Sequence, residues 1–266
     1  MSKYCCFKGR GAISLAAYLA YIAKTAGLMP VGNAPTLGVN ITETTEDTKD
    51  YTSPSGGIAC QFREIDKVEI DLTLLCHTPD NLIRTLYGAG AADNIATAAV
   101  VAEPHVLHLG AVCPLDALID ESVAIVVTNI AADVTYVKDT DYKVTPAGSV
   151  EHIIVGGAIP APTVTAGVGQ PNVKVSYTRK VQSKIQLFSK PSDPVVLHFD
   201  GYNVAADTAQ AMQFDLFKVR LSAAKNFQLI SDNMGKLELT GTCMRDETKP
   251  VGSLSNPFSQ YGTLKL

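Results

Sequence analysis

Most of the marks by which a sequence declares its chemistry are missing from this one. None of its six cysteines (Cys5, Cys6, Cys60, Cys76, Cys113 and Cys243) belongs to a C-x-x-C pair. A secreted disulfide scaffold would be shorter and denser in cysteine, so the spacing favours buried or free thiols made in a reducing compartment. Lys and Arg are nowhere clustered, and the formal net charge is −4. That excludes tight nonspecific binding of nucleic acid and leaves any contact with DNA passive. No apolar run is long enough to span a bilayer, so no membrane insertion is expected. The nearest, residues 12–23, follows Lys3, Lys8 and Arg10 in the layout of a signal peptide. Cys5 and Cys6 in its charged region, Tyr18 and Tyr21 within it and Lys24 at the cleavage position all argue that it stays in the protein. The sequon Asn40-Ile41-Thr42 is then idle. Tryptophan is absent, which excludes nothing.

Signatures of cofactors and nucleophiles are equally scarce. Gly9-Arg10-Gly11 and Gly88-Ala89-Gly90 are fragments of a dinucleotide fingerprint. Both lack the third glycine and a βαβ frame, no Walker sequence occurs, and they read as turn glycines. The G-x-S-x-G signature is absent. His105, His108 and Cys113 are close in sequence, but on an extended segment an i, i+3 pair faces opposite ways, which does not suit one metal ion. Neither a metal nor a cofactor is expected. The carboxylate pairs Glu64/Asp66 and Asp139/Asp141 can each share a strand face. Acid–base work needs one carboxyl in a pocket, whereas Asp139 and Asp141 bracket a turn, where Asp serves the backbone. The expectation is a protein without catalysis.

What the chain does have is β patterning. Its 266 residues suffice for one large β domain or two smaller ones. Charged residues are 18%, against an average of about 25%, which fits β-rich structure with large subunit contacts. Residues 57–88 read as two strands and a short helix. In the second strand Val68, Ile70, Leu72 and Leu74 point one way and Lys67, Glu69, Asp71 and Thr73 the other, a half-buried strand with a charged wet face. Pro79 and Asp80 stop it. Asp80 caps a helix that buries Leu82, Ile83, Leu86 and Tyr87, with Gly88 at the exit. Residues 12–23 fit strand or helix equally. Residues 41–57 are polar and turn-rich and read as a long exposed loop. From 122 to 177 the pattern becomes short strands and tight turns (123–128, 134–137, 142–144, 150–155 and 173–177), an inserted subdomain at 116–182. After it come a strand at 195–199, a turn at Gly201-Tyr202-Asn203, and a strand at 213–221 with Phe217, Val219 and Leu221 on one side. An alternating strand from Leu237 to Cys243 and a tail after Pro250 that is mobile or interface-bound complete the chain.

Several of these features together resemble the tail tube protein (major tail protein) of long-tailed bacteriophages. They are Gly9-Arg10-Gly11 with the Gly32-Asn33 turn, the VEIDLTLL strand with the Asn81-Leu82 helix ending Leu86-Tyr87-Gly88, and the VTYVKDTDYKVTPAGSVEHI hairpin around Asp141-Tyr142. Phe199-Asp200-Gly201-Tyr202-Asn203 and the closing ISDNMGKLELTGTCMRD complete the set. The resemblance covers most of the chain as a pattern of strands and turns. It implies a mainly β fold, a tail-tube-type β-barrel or sandwich with a flanking short helix, formed by 1–115 and 183–266, with the small β subdomain 116–182 outside. It implies a homo-oligomer of stacked, hexameric rings that conducts the genome, made in the host bacterial cytoplasm and ending in the virion tail. Its partners would be tape-measure and tail-terminator or tip proteins, and a sheath protein where the tail is contractile. Sheets of neighbouring subunits would join edge to edge. Lys67, Glu69, Asp71 and Thr73 would face a mostly acidic lumen that repels phosphate, the alternative for that face being plain solvent exposure. The 41–57 loop, through Glu43, Glu46, Asp47, Lys49, Asp50 and Tyr51, would reach a neighbouring subunit or ring. A secreted or surface β-sandwich binding module, an adhesin or carbohydrate binder, is the alternative, and it requires a cleaved N-terminus.

Overall fold

Residues 7–52, 56–88, 92–153, 157–205, 210–253 and 258–266 are described by the computed structural model, and they are mainly β. Cys5, Cys6, Ala89 and Gly90 lie outside them. In chain order the elements begin with β1 (Gly9–Ala17), α1 (Tyr18–Ile22), β2 (Met29–Pro30), β3 (Thr36–Lys49), β4 (Ile58–Leu74) and α2 (Pro79–Thr85). Next come β5 (Asp93–Ile95), β6 (Ala98–His105), β7 (Val112–Cys113), β8 (Val126–Asn129), β9 (Thr135–Tyr136) and β10 (Tyr142–Val144). They are followed by β11 (Val150–His152), β12 (Val164–Thr165), β13 (Val168–Gly169), β14 (Val173–Arg179) and β15 (Gln182–Lys184). The chain ends with β16 (Val195–Asn203), β17 (Gln210–Leu221), β18 (Leu237–Cys243) and β19 (Gly262–Lys265). Two compact units result, Met1–Ala92 with Ile185–Leu266, and Asp93–Lys184. Residues 93–115, assigned from sequence to the outer segments, fall in the inserted unit because β6 pairs with β14, about seventy positions further on.

The first unit is an eight-stranded antiparallel sheet in the order β2-β1-β16-β17-β18-β4-β3, with β19 beside β17. The alternation expected at 67–74 is present: Val68, Ile70, Leu72 and Leu74 are buried, and the residues between them are not. Leu237, Leu239 and Cys243 alternate in the same way on β18. The apolar sides of β1 and β4, far apart along the sheet, meet in one cluster through Ile13, Leu15, Ile70, Leu72, Leu197 and Leu221. The sheet therefore curls around its own core without closing into a barrel. Residues 12–23, ambiguous by periodicity, divide into the end of β1 and the start of α1.

One end of this core is stoppered by α2. Thr78, not Asp80, is the cap, its hydroxyl accepting from the Asn81 N–H at 3.3 Å. Asp80 sits in the first turn, where its charge suits the helix dipole. The left-handed exit residue is Tyr87 (φ 52), and the Gly88 N–H bonds back to Ile83. Buried Asn81 donates to the carbonyls of Val31 and Cys76, both at 2.9 Å, tying the helix start to two loops. On the other side of the sheet Tyr18 of α1 donates to Asp246 at 2.7 Å. Asp246 also takes both the backbone and the hydroxyl of Thr248.

Three further expectations are corrected. Gly201-Tyr202-Asn203 is not a turn: β16 runs through it, and Gly201 faces Gly11 so closely that a Cβ on either would strike backbone. Phe217 is not on the core side: Val195 pairs with Val219 but Leu197 with Leu216, so a bulge of two residues lies opposite Val196 and displaces it. Past residues 254–257, which are outside the described set, the tail forms β19 against β17.

The inserted unit packs a four-stranded sheet (β6-β14-β8-β9) and a three-stranded one (β10-β11-β7) around Leu107, Val127, Tyr142, Val150, Val173 and Val175. The short strands expected at 123–128, 134–137, 142–144 and 173–177 are there, with ends shifted by up to three residues. The strand expected at 150–155 is seen to His152, and 154–156 lie outside the described residues. Asp141 organises the hairpin. Its carboxylate accepts from the backbone of Val137 at 2.7 Å and of Ala158 at 2.8 Å. Those bonds, from Val137 first, hold its carboxyl below the usual carboxylate range. His152 is buried nearby, and burial lowers its pKa against the pull of Asp141.

Two stability outcomes follow. Gly201→Val should lower the melting temperature by roughly 2–12 °C, because overpacking costs about 1–3 kcal/mol and each is worth about 2–4 °C at this size; calorimetry checks it. The Asp141 contribution is fully present above about pH 4, its unfolded range, and is lost as pH falls through its lower folded value. His152, also depressed, adds a loss that begins below about pH 6.5. Asp141→Ala should therefore cost about 2–3 kcal/mol at neutral pH, and melting curves of variant and parent should converge on acidification.

Candidate functional site

The expected wet face exists and is wider than one strand. Register carries it from Thr73, Asp71, Glu69 and Lys67 on β4 to Glu238, Thr240 and Thr242 on β18 and to Arg220 on β17. In the other direction it reaches Thr36, Gly38, Asn40 and Thr42 on β3. Toward β16 it continues through Asp215, paired with His198, and Thr263 of β19. Contacts on this face are polar and local. Lys67 Nζ lies 2.5 Å from Glu69, Asn40 donates to Asp71 at 2.6 Å, and Lys265 is 3.7 Å from Asp215. The charge of this wider face is mixed: Arg220 and Lys265 lie on it with Asp215 and Glu238. Those cations come from strands that pairing brings in from distant sequence, so β4 alone could not reveal them.

The loop expected at 41–57 is also corrected. Glu43, Glu46, Asp47 and Lys49 all lie in β3, which pairs with β4 from Thr36↔Thr73 to Lys49↔Ile58. The two strands expected within 57–74 are one strand of 17 residues. Only Asp50 and Tyr51 lie beyond the strand end; Asp50 accepts from Thr52, and Tyr51 is 86% exposed. The Thr-rich run favours extended backbone. It reads as a loop because both of its faces are wet, which erases the alternation. Past the register shift at Asp66 every residue of the ribbon is exposed, including Ile58, Phe62 and Ile65. Two strands in water are marginally stable without a further surface.

The unpartnered edges complete the geometry. Among the described residues β3 pairs on one side only, with β4. At the other margin β2 covers only Ser14 and Leu15 of β1, leaving its first residues paired to β16 alone. A cleft of about 770 Å³ is lined from both margins, by Phe7 and Ile13 on the β1 side, Leu37 and Val39 on β3, and Phe199 and Phe214. Both edges carry rows of backbone donors and acceptors that a strand of another chain can take.

The chemical candidates are placed differently from their sequence spacing. Gly9-Arg10-Gly11 is strand, not a phosphate loop. Glu64 and Asp66 are exposed on the ribbon, Asp139 takes the left-handed turn position (φ 66), and Asp141 is committed to backbone. His108 is exposed, whereas His105 and Cys113 are brought together, with Sγ 3.4 Å from Nδ1. Glu103, which the sequence reading missed, takes the other ring nitrogen at 2.6 Å. Its signal was available as Glu-x-His, an i, i+2 pair on one strand face. Among the described residues no three His, Cys, Asp or Glu side chains converge to hold a metal. Cys60 is exposed on β4, Cys243 is buried on β18, and Cys76, expected in a strand, lies past the end of β4 and accepts from the Asn33 N–H.

A search of curated proteins finds no match. The family described as Protein of unknown function UCP028589 matches residues 6–265, nearly the whole length, and the chain belongs to that family.

Proposed function

We propose that the chain is a structural subunit of a phage tail tube, without catalysis, that assembles as stacked, hexameric rings conducting the genome. The observation that carries the reading is the curled, unclosed sheet, which among the described residues leaves the outer side of β3 and of the start of β1 unpaired. One margin of a copy can pair with the opposite margin of the next. Such contacts are heterologous and close when the rotation per subunit completes a ring. The sheet would then run continuously around the ring with the Lys67–Glu69–Asp71–Thr73 face turned to the lumen. A lining whose lysines are met by carboxylates, Lys67 by Glu69 and Lys265 by Asp215, gives phosphate no cationic cluster to hold, so DNA slides. The β3–β4 ribbon supplies the contact between rings, where Ile58, Phe62 and Ile65 find the surface that two strands lack by themselves. Tape-measure and tail-end proteins fill and terminate the tube, which is assembled in the bacterial cytoplasm and incorporated in the virion.

Negative-stain electron microscopy of the concentrated full chain should show hollow rings or tubes of uniform width. Small monodisperse particles, persisting when tail-end complexes are added as seeds, would overturn the reading and favour a binding module. Phe62→Asp with Ile65→Asp should stop tube growth while moving the melting temperature by less than about 2 °C, since exposed substitutions cost within about 0.5 kcal/mol.

A further inference from the structure

A second chemistry lies in the inserted unit. Strand β6 carries a bulge: Val175 pairs with Glu103 but Tyr177 with Val100, so Val101 and Ala102 oppose Ser176. Ala102 takes φ 57 there, and its N–H donates to the Ser176 hydroxyl at 2.9 Å. A non-glycine residue held left-handed inside a strand is an uncommon device, and bulges re-aim the side chains that follow them. Those that follow are Glu103 and His105.

The Glu103 carboxylate is fixed from two sides. The Tyr177 hydroxyl donates to Oε2 at 2.7 Å and the Asp116 N–H to Oε1 at 3.2 Å. Oε1 lies 2.6 Å from His105 Nε2, and the two side chains are only 13% and 12% exposed. A carboxylate can only accept, so Nε2 carries the proton, and Nδ1 of the neutral ring is left as an acceptor. At 3.4 Å from Nδ1 stands Cys113 Sγ, with the Pro114 carbonyl a longer alternative at 3.8 Å. The order is thiol, imidazole base, orienting carboxylate, with each ring nitrogen in a defined role. Because the imidazole separates sulfur from carboxylate, the three do not share one metal ion. Cys113 is half-buried on β7, which among the described residues pairs with β11 alone.

We propose that Cys113, with His105 as its base and Glu103 as the positioning residue, is a modification site that exchanges with small-molecule disulfides. The S–H proton passes to His105 Nδ1 as sulfur attacks one sulfur of the incoming disulfide. The new S–S bond forms as the old one breaks, and the leaving thiolate takes the proton from the imidazolium. Cys113 ends oxidised as a mixed disulfide, and the small molecule is reduced to one free thiol. The charged and titratable groups that act on the sulfur are His105 and Glu103 on β6 and Asp116. Burial, then Glu103 and Asp116, push the Cys113 thiol up. The resting form is therefore the neutral thiol, and the base acts during attack.

The test is site-resolved mass spectrometry of the reduced full chain exposed to glutathione disulfide between pH 6 and 9. Cys113 should react at least about tenfold faster than Cys76, which is also half-buried and whose sulfur accepts from the Asn33 N–H instead of meeting an imidazole nitrogen. His105→Asn should slow Cys113 about tenfold or more while Cys60 keeps its rate. Glu103→Gln should slow it less and move the pH at which its rate falls. Buried Cys243 reports unfolding, and if a variant exposes it, the comparison of Cys113 with Cys76 in the parent decides. Equal or slower reaction of Cys113 than Cys76, or no effect of His105→Asn with Cys243 still protected, overturns the proposal.

Discussion

Antiparallel strands that curl around their own apolar side must either close or end. In this chain they end. The cluster joining Ile13 and Leu15 to Ile70 and Leu72 fixes how far the sheet bends, and Gly11 against Gly201 lets two strands come close enough for that bend. Everything else is arranged around this partial closure. Helix α2 stoppers one end through Asn81, and α1 is pinned to the Asp246 turn on the other side. The polar face is left broad because no second sheet covers it within the unit. Among the described residues β3 and the start of β1 keep an unpaired side because the sheet stops short of meeting itself. Oligomerisation by edge pairing solves for many copies the problem that closure solves for one.

The sequence was most readable where one side of a strand is dry and the other wet. At 67–74 and 237–243 the alternation names both the element and its inner face, since burial of Ile70 or Leu239 demands every second position. It was least readable where both sides are wet. The run from Glu43 to Lys49 is extended only because β4 lies beside it, and no local pattern reports that neighbour. Glycine misled for a different reason: a residue chosen for positive φ and one chosen for close approach look alike in sequence, and Gly201 is the second kind. Thr78 and Asp80 are both good caps, and only geometry separates the cap from the first-turn acid.

Long-range pairing hid the rest. Residues 98–105 belong to the inserted unit by virtue of β14, and the bulge opposite Ser176 is a property of that pairing, not of β6 alone. The same pairing makes His105 and Glu103 neighbours of Tyr177, and the fold of the β7 segment brings Cys113 to them. The sequence spacing draws the eye to His105 with His108, whereas the contacts of His105 are with Glu103 and Cys113. Local spacing is a guide to chemistry only within an element whose direction is known.

The way the inserted unit joins the chain also matters. Its first and last strands, β5 and β15, are partners, with Asp93 opposite Lys184. The unit therefore enters and leaves by adjacent positions, and its 92 residues, Asp93–Lys184, are a closed excursion from the path of the sheet. A lineage can lengthen, replace or discard such a cassette without re-registering a single strand of the host fold. Selection on what the cassette does is thereby uncoupled from selection on how the sheet assembles.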